Sequence, residues 1–283
     1  MTRNILVKRL LTILTLCIGI ALLFHNTTHT IESVHYEIAS YRLPHSFNGF
    51  KIAQISDLHC IQSKKQADKL LDLLHQTNPD IIVFTGDIID ETTFDYSLTY
   101  TFLHNVAQIA PTYAVNGNHE AWLPELIYHS FEDKLNTLGI PILHNQDIKL
   151  TNNNDVIYLY GVDDPDFLDR SDVYANEIMA HQLDDIPTQS FTLLLSHRPE
   201  LFDCYVAKNI DLVLTGHAHG GQIRLPFIGA LLAPNQPLFP PYTNGVYTSQ
   251  HTTMIVSTGI GTSKLPLRIN NPSQVVCITL YQK

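Results

Sequence analysis

The chain has 283 residues and a formal net charge of −10, a length that suits one large domain or two small ones and a charge that gives no general attraction to a nucleic acid backbone. Hydrophobic residues make up 45%, enough for a sizeable buried core, which excludes a disordered or collagen-like chain. The four cysteines, Cys17, Cys60, Cys204 and Cys277, contain no C-x-x-C pair, so buried free thiols are expected rather than a disulfide framework or a thiolate zinc site.

In chain order, the first feature is Arg3, Lys8 and Arg9 followed by residues 10–24 without a charge. That run lies between a signal-peptide core and a full span of about 20 residues. No A-x-A cleavage site follows it, so residues 1–30 are expected to form an uncleaved membrane anchor, with a cleaved signal peptide as the alternative. Positive charge ahead of the run places the N-terminus inside and the rest outside. For a bacterial chain this means the inner (cytoplasmic) membrane with an extracytoplasmic domain, the cytoplasmic face being the alternative. Residues 31–50 read as a linker and first strand, and residues 51–283 as the main domain.

From residue 51 the pattern is regular. Apolar runs at 51–56, 80–85, 112–115, 156–160, 191–196 and 211–215 each lead into Asp, Asn, His or Gly, as buried strands do. Helices are expected at 65–76, with Leu70, Leu71, Leu73 and Leu74 on one side and Asn78-Pro79 as a stop, at 123–138, and at 199–208. The 123–138 stripe is Leu126, Ile127, Phe131, Leu135 and Leu138. Residues 255–257 and 275–280 look like closing strands. This mixture predicts a layered α/β domain.

The chemistry gathers at the strand ends: Asp57-Leu58-His59, Gly86-Asp87, Gly117-Asn118-His119-Glu120, His197 and Gly216-His217-Ala218-His219. Loops at strand C-termini converge on one sheet edge, and this set of oxygens and imidazoles suits a pair of divalent ions that clamp a phosphoryl group. Asp87 suits a bridging carboxylate, because Gly86 permits a close approach without a Cβ. Asp57 and His59, two apart, are expected to point the same way from an extended backbone, and His217 and His219 to repeat that geometry. Asn118 offers a neutral oxygen. His119 can protonate a leaving alkoxide. Each motif alone is common by chance; the ordered set is not. The other histidines, among them His144 and His251, read as surface or packing residues.

With these motifs the sequence resembles the calcineurin-like metallophosphoesterases from about residue 51 onward. The resemblance implies a four-layer αββα sandwich, two mixed sheets flanked by helices, here preceded by one N-terminal anchor helix. It implies one ion on Asp57, His59, Asp87 and His219, a second on Asp87, Asn118, His197 and His217, and His119 as the acid. The run from Gly216 to Pro226, with Ala233-Pro234-Asn235-Gln236, is similar to a membrane-associated bacterial subgroup. That subgroup includes phosphodiesterases and a UDP-2,3-diacylglucosamine pyrophosphatase of lipid A synthesis. One departure stands out: Thr258 precedes Gly259 where the family pattern leads one to expect Arg.

The expectation is therefore a membrane-anchored dinuclear hydrolase of phosphodiester or pyrophosphate bonds, on a substrate that could be lipid-linked. The lipid A pyrophosphatase and a non-catalytic metal-binding scaffold are the alternatives. His, Asp and Asn ligands without thiolate suit two manganese ions first, then iron or zinc. Residues 225–239, apolar with prolines at 226, 234 and 237, are either a loop that dips into lipid or a packed surface loop.

Overall fold

The computed structural model describes residues 7–9, 11–16, 19, 27, 29–262 and 267–283. Most of the expected anchor, and Cys17, lie outside the described residues. No helix among the described residues is long and apolar enough to cross a membrane.

The strands are β1 (Ile31–Ser40), β2 (Lys51–Ile55), β3 (Ile81–Thr85), β4 (Thr112–Val115), β5 (Gln146–Asn152), β6 (Asp155–Gly161) and β7 (Thr192–Leu195). They continue as β8 (Leu212–Thr215), β9 (Arg224–Leu225), β10 (Gly229–Ala230), β11 (Gly245–Ser249), β12 (Thr252–Val256) and β13 (Ser273–Gln282). One sheet has the order β1-β13-β2-β3-β4 and the other β11-β12-β8-β7-β6-β5, while β9 and β10 form a separate small hairpin. Within the first sheet β2, β3 and β4 are parallel, and within the second β6, β7, β8 and β12 are parallel.

The apolar runs are continuous because both faces of each sheet are covered. In β3, Ile81 and Val83 point between the sheets, whereas Ile82 and Phe84 point outward to helices. In β7, Leu193 and Leu195 meet the first sheet and Leu194 faces away from it. The outward face of the first sheet is covered by α1 (Lys64–Thr77), α2 (Ser97–Ala107) and α4 (Glu125–Thr137). The outward face of the second is covered by α5 (Ala175–Gln182) and α6 (Phe202–Ala207). The short α3 (Asn118–Trp122) lies at the strand ends. The result is the expected αββα layering.

Local signals account for the helix limits. The Ser63 hydroxyl accepts the Gln66 N–H to cap α1, and Asn78 ends that helix at φ 46°, a conformation Asn tolerates.

Three expectations change. The first strand expected within residues 31–50 begins at Ile31 with no linker ahead of it in that range, and pairs parallel with β13 from Ile31–Ser273 to Ser40–Gln282. Leu126 and Ile127 are 81% and 41% exposed, because the first turn of α4 overhangs the core and only Phe131 and Leu135 bury fully. The helix expected at 199–208 opens as a 3₁₀ turn and becomes α-helical only over Phe202–Ala207. Cys60, Cys204 and Cys277 are free.

His144 ties α4 to the end of β6: its Nδ1 lies 2.9 Å from Asp163 Oδ1 and its Nε2 2.8 Å from Glu132 Oε1. The Asp163 hydrogen bond and charge, aided by Glu132 and against partial burial, raise the imidazole to about 9. The folded protein thus holds this proton more tightly than the unfolded chain, where His titrates near 6.5. The contribution is complete below pH of about 6.5 and lost as pH rises through about 9. With a side chain 36% exposed, solvent screening limits it to about 1 kcal/mol. Chemical denaturation of His144→Gln should be less stable than wild type at pH 6 and converge with it by pH 9.5; a constant difference across that range excludes the charged clamp.

Candidate metal centre

The ends of β2, β3, β4, β7 and β8 bring every expected ligand to one edge, at the seam between the sheets. Gln54, fully buried, closes that seam by donating from Nε2 to Thr85 Oγ1 in its own sheet and to the Thr215 carbonyl in the other, both at 2.9 Å.

Two groups of ligand atoms each lie within 4.8 Å of one another: Asp57, His59, Asp87 and His219, and Asp87, His197 and His217. Asp87 belongs to both. Asn118 Oδ1 is 3.1 Å from His197 Nε2, so Asn118 joins the second group. His59 Nε2 and His219 Nε2 face each other at 3.1 Å, and His217 Nδ1 and His197 Nε2 do the same at 3.1 Å. His197 Nε2 is 3.2 Å from Asp87 Oδ2, and His219 Nε2 is 3.4 Å from Asp57 Oδ1.

The backbone that produces this is not extended. Asp57, His59, Asp87, His217 and His219 take φ of 48°, 44°, 53°, 64° and 47°. The expectation that D-x-H and H-x-H pairs align by strand alternation is therefore wrong; left-handed turns aim them. Such turns let the chain reverse tightly at the strand ends, which strand alternation alone could not do. They are disfavoured for side-chain-bearing residues, and functional sites are where this strain collects.

Glycines make the space. A Cβ on Gly86, itself at φ 90°, would come within 2.5 Å of His197 Nδ1. On Gly117 it would meet Asp87 Oδ1 at 2.3 Å, and on Gly216 Ser56 Oγ at 1.8 Å.

Several residues without an expected role hold the ligands. The Glu120 carboxylate accepts the amides of Asp87 and Gly117 on Oε2 and those of Ile88 and Ile89 on Oε1, all between 2.7 and 3.0 Å. Four amide donors favour the ionised form against burial and the Asp87 charge, which lift Glu120 to about 7, and they lock the β3 loop to the β4 loop. His197 Nδ1 is 2.8 Å from the Thr85 carbonyl, so it carries the proton and leaves Nε2 free to coordinate. His217 Nε2, 2.9 Å from Asn235 Oδ1, likewise leaves Nδ1 free. Buried Arg268 donates to the carbonyls of Thr258 and Gly259, supplying a guanidinium to the loop in which Arg was expected at 258. Of these, only Glu120 and Asn235 stand in motifs recognisable in the sequence.

His119 sits at the rim with Nε2 3.9 Å from Asp87 Oδ2 and Nδ1 2.7 Å from Glu91 Oε2. Its own amide donates to Asp87 Oδ1. Burial would lower its pKa, but the Asp87 and Glu91 carboxylates raise it. Burial drives His59 down to about 4 and takes His217 and His219 well below their ordinary value. These imidazoles are neutral, as metal ligation requires. Burial, with the Asp87 charge adding to it, lifts Asp57 to about 6.

His197 differs: burial would lower its pKa, but the Asp87 and Asp57 carboxylates raise it to about 10, a proton that a bound cation would displace from Nε2. Convergent imidazoles, two buried carboxylates and an amide oxygen, with the outward nitrogens of His197 and His217 committed to acceptors, fit a pair of divalent cations. Beside them a cavity of about 290 Å³ is lined by Asp87, His119, Trp122, Arg170, Arg198 and Asn235. Arg198 is buried and donates to both Asp164 oxygens at 2.6 and 2.8 Å and to Asp166 at 2.7 Å.

A layered fold with a dinuclear-type cluster at the strand ends defines a phosphoesterase class of protein. Residues 50–221 match the family described as Calcineurin-like phosphoesterase. The chain is similar to the uncharacterized metallophosphoesterase YkuE of Bacillus subtilis, at 30% identity over 89% of this chain and 86% of that protein. It is also similar to an uncharacterized metallophosphoesterase of Aquifex aeolicus, at 27% identity over 92% of this chain and 95% of the relative. Among solved structures, phosphopantetheinyl hydrolase (PptH) from Mycobacterium tuberculosis overlays with a TM-score of 0.48 at 12% identity, over 79% of this chain and 96% of that one. The chain belongs to the calcineurin-like phosphoesterase family and is a metal-dependent hydrolase.

Glu120→Ala leaves four amides without their acceptor, at about 1–3 kcal/mol for each one kept from water. Expected outcomes are a lower unfolding midpoint and a drop from about two bound ions per chain to below one by elemental mass spectrometry. Full metal content in that variant would show that the carboxylate does not organise the centre.

Proposed function

We propose that the chain hydrolyses phosphodiester or pyrophosphate bonds with two divalent ions, one held by Asp57, His59, Asp87 and His219 and the other by Asp87, Asn118, His197 and His217. The observation that carries this reading is the sharing of Asp87 between two buried ligand groups. Bound ions supply charge neutralisation of the phosphoryl oxygens and a hydroxide nucleophile at neutral pH. Manganese is the first choice, with iron and zinc next.

The chain's own residues do the rest. Asp87 is held in place by its amide contact with Glu120 and by the His119 amide on its Oδ1. His119 keeps a proton on Nδ1 against Glu91 and turns Nε2 to the cavity, where it protonates the departing oxygen. The cavity, about 290 Å³, holds a phosphate group with modest substituents, below the usual span for larger ligands. Retention of each ligand and of the acid histidine argues against a scaffold without catalysis.

A tether to the bacterial inner membrane, with the domain outside, belongs to the same reading. It is supported by the uncharged run at 10–24 behind Arg3, Lys8 and Arg9. Residues 11–16 are helical, and Leu11, Ile13, Leu14 and Leu16 are more than half exposed; a membrane would cover them. Tethering favours a lipid-linked substrate.

Purified full-length chain in detergent with manganese should hydrolyse bis(p-nitrophenyl) phosphate and stop when a chelator is added. Asp87→Ala should lose at least about 1,000-fold in kcat, and His119→Gln about 100- to 10,000-fold with its metal content intact. Unchanged turnover in Asp87→Ala would remove the metal mechanism.

In a second test, the His217–Asn235 contact predicts that Asn235→Ala weakens the second ion more than the first. Metal titration should then show one affinity reduced about 10- to 100-fold and the other retained; two equally affected sites would contradict the split.

A further inference from the structure

The hairpin of β9 and β10 and the loop after it present apolar side chains to solvent with nothing of the described residues over them. Arg224 pairs with Ala230 and Leu225 with Gly229, and the tip carries Phe227, fully exposed, and Ile228, 61% exposed. Leu232, Leu238 and Phe239 follow, each more than half exposed. Phe227 and Phe239 hold φ of 67° and 60°, a costly conformation for bulky residues. Five large apolar side chains exposed within 13 residues of one hairpin and its following loop mark a contact site.

Two observations say what it contacts. First, the surface is built onto the metal centre. Asn235 accepts from His217 and, with Pro234, lines the cavity. Gly221, two residues after His219, packs so closely on Ala230 that a Cβ would come within 2.3 Å of it. Second, the apolar N-terminal segment enters the domain at the foot of this same hairpin. The Thr27 amide donates to the Arg268 carbonyl, and its hydroxyl accepts the Asn271 amide. Residues 268–271 are in turn fastened to the hairpin base, Arg224 N–H to Ile269 O and Ile269 N–H to Gln222 O, and to the ligand loop, Asn271 Nδ2 to His219 O. The uncharged run ends at residue 24, three positions before that anchorage. A membrane holding the run would therefore lie only a few residues from the base of the hairpin.

We propose that residues 225–239 dock into a lipid bilayer, so that the cavity opens at the membrane surface and receives a phosphoester carried on a lipid headgroup. The substrate half rests on the hydrolase reading above, and the docking half on the membrane tether alone. The cavity takes the phosphoryl group, and the apolar part of the substrate stays in the bilayer beside Phe227 and Phe239. Apolar residues that insert to headgroup depth do this without requiring lipid charge, which agrees with a chain of net charge −10.

The test uses the full chain reconstituted in phosphatidylcholine vesicles. Its single tryptophan, Trp122, provides the background. Phe227→Trp, and separately Ile228→Trp, add an indole at the tip. Tyr41→Trp adds one beyond the far end of β1, about 30 Å along the ten-residue strand. Acyl-brominated phosphatidylcholine should remove at least half of the added emission in both tip variants, with a blue shift, and leave Tyr41→Trp unchanged. Quenching no greater than in Tyr41→Trp overturns the proposal, as does a chain that fails to enter vesicles. A blue shift without quenching assigns the surface to a second copy or another protein and overturns it too. Turnover of bis(p-nitrophenyl) phosphate in the same samples separates the two readings. Turnover without quenching rejects the docking surface alone; quenching in a chain without turnover supports docking and rejects the lipid phosphoester.

Discussion

Two aspartate carboxylates, Asp57 and Asp87, are fully buried at the seam between the sheets, and the rest of the strand-end architecture exists to make that tolerable. Like charges in a dry site repel strongly, and burial penalises each of them separately. The chain offsets this with amide donors, the His217 N–H to Asp57 and the His119 N–H to Asp87, and with imidazoles. These measures are incomplete, as the raised pKa of Asp57 shows. Divalent cations held by these carboxylates would complete them, so the feature that costs the protein stability on its own would favour metal binding.

Holding the ligands requires a backbone that no single strand or helix would adopt. Five ligands sit in left-handed conformations, at a cost on the order of 1 kcal/mol each. The surrounding structure pays for this with two layers of interdigitated aliphatic side chains directly beneath and with Glu120, whose two oxygens gather four amides from two loops. The strain is local because the scaffold under it is rigid: the parallel strands end at the same level, and Gln54 ties one sheet to the other.

The surroundings of the centre are uneven in a way that bears on substrate. On one side Arg198 is saturated by Asp164, Asp166 and Asp172, so it shapes the cavity wall rather than offering free charge. On the other side lies the apolar rim of residues 225–239. The lipid-borne phosphoester proposed above would place its phosphoryl group in this small polar cavity and its apolar part beside that rim.

Much of this was legible in the sequence. The strands that lead into the site and the D-x-H, G-D, G-N-H-E and G-H-x-H motifs at their ends follow from short-range rules, because a strand buried on both faces must be apolar throughout and its loop must carry whatever chemistry the edge performs; the order of the strands in the sheets does not. What the sequence could not yield depends on residues far apart in the chain. Residues 31–50 read as linker and first strand, and only β13, far along the chain, shows that the strand starts at Ile31 and what it pairs with. Glu91, Arg268 and Asn235 gain their roles from His119, the 258–261 loop and His217 respectively, none of them a neighbour in sequence. The structure brings the expected ligand pairs together but not by the expected geometry: spacing says which side chains are near each other, whereas the sign of φ is set by the turn that tertiary packing forces on them. The amino-acid order by itself determined the family, the layers and the ligand types; only the tertiary structure decided how those ligands are aimed and braced, because aim and bracing come from contacts between segments that only folding brings together.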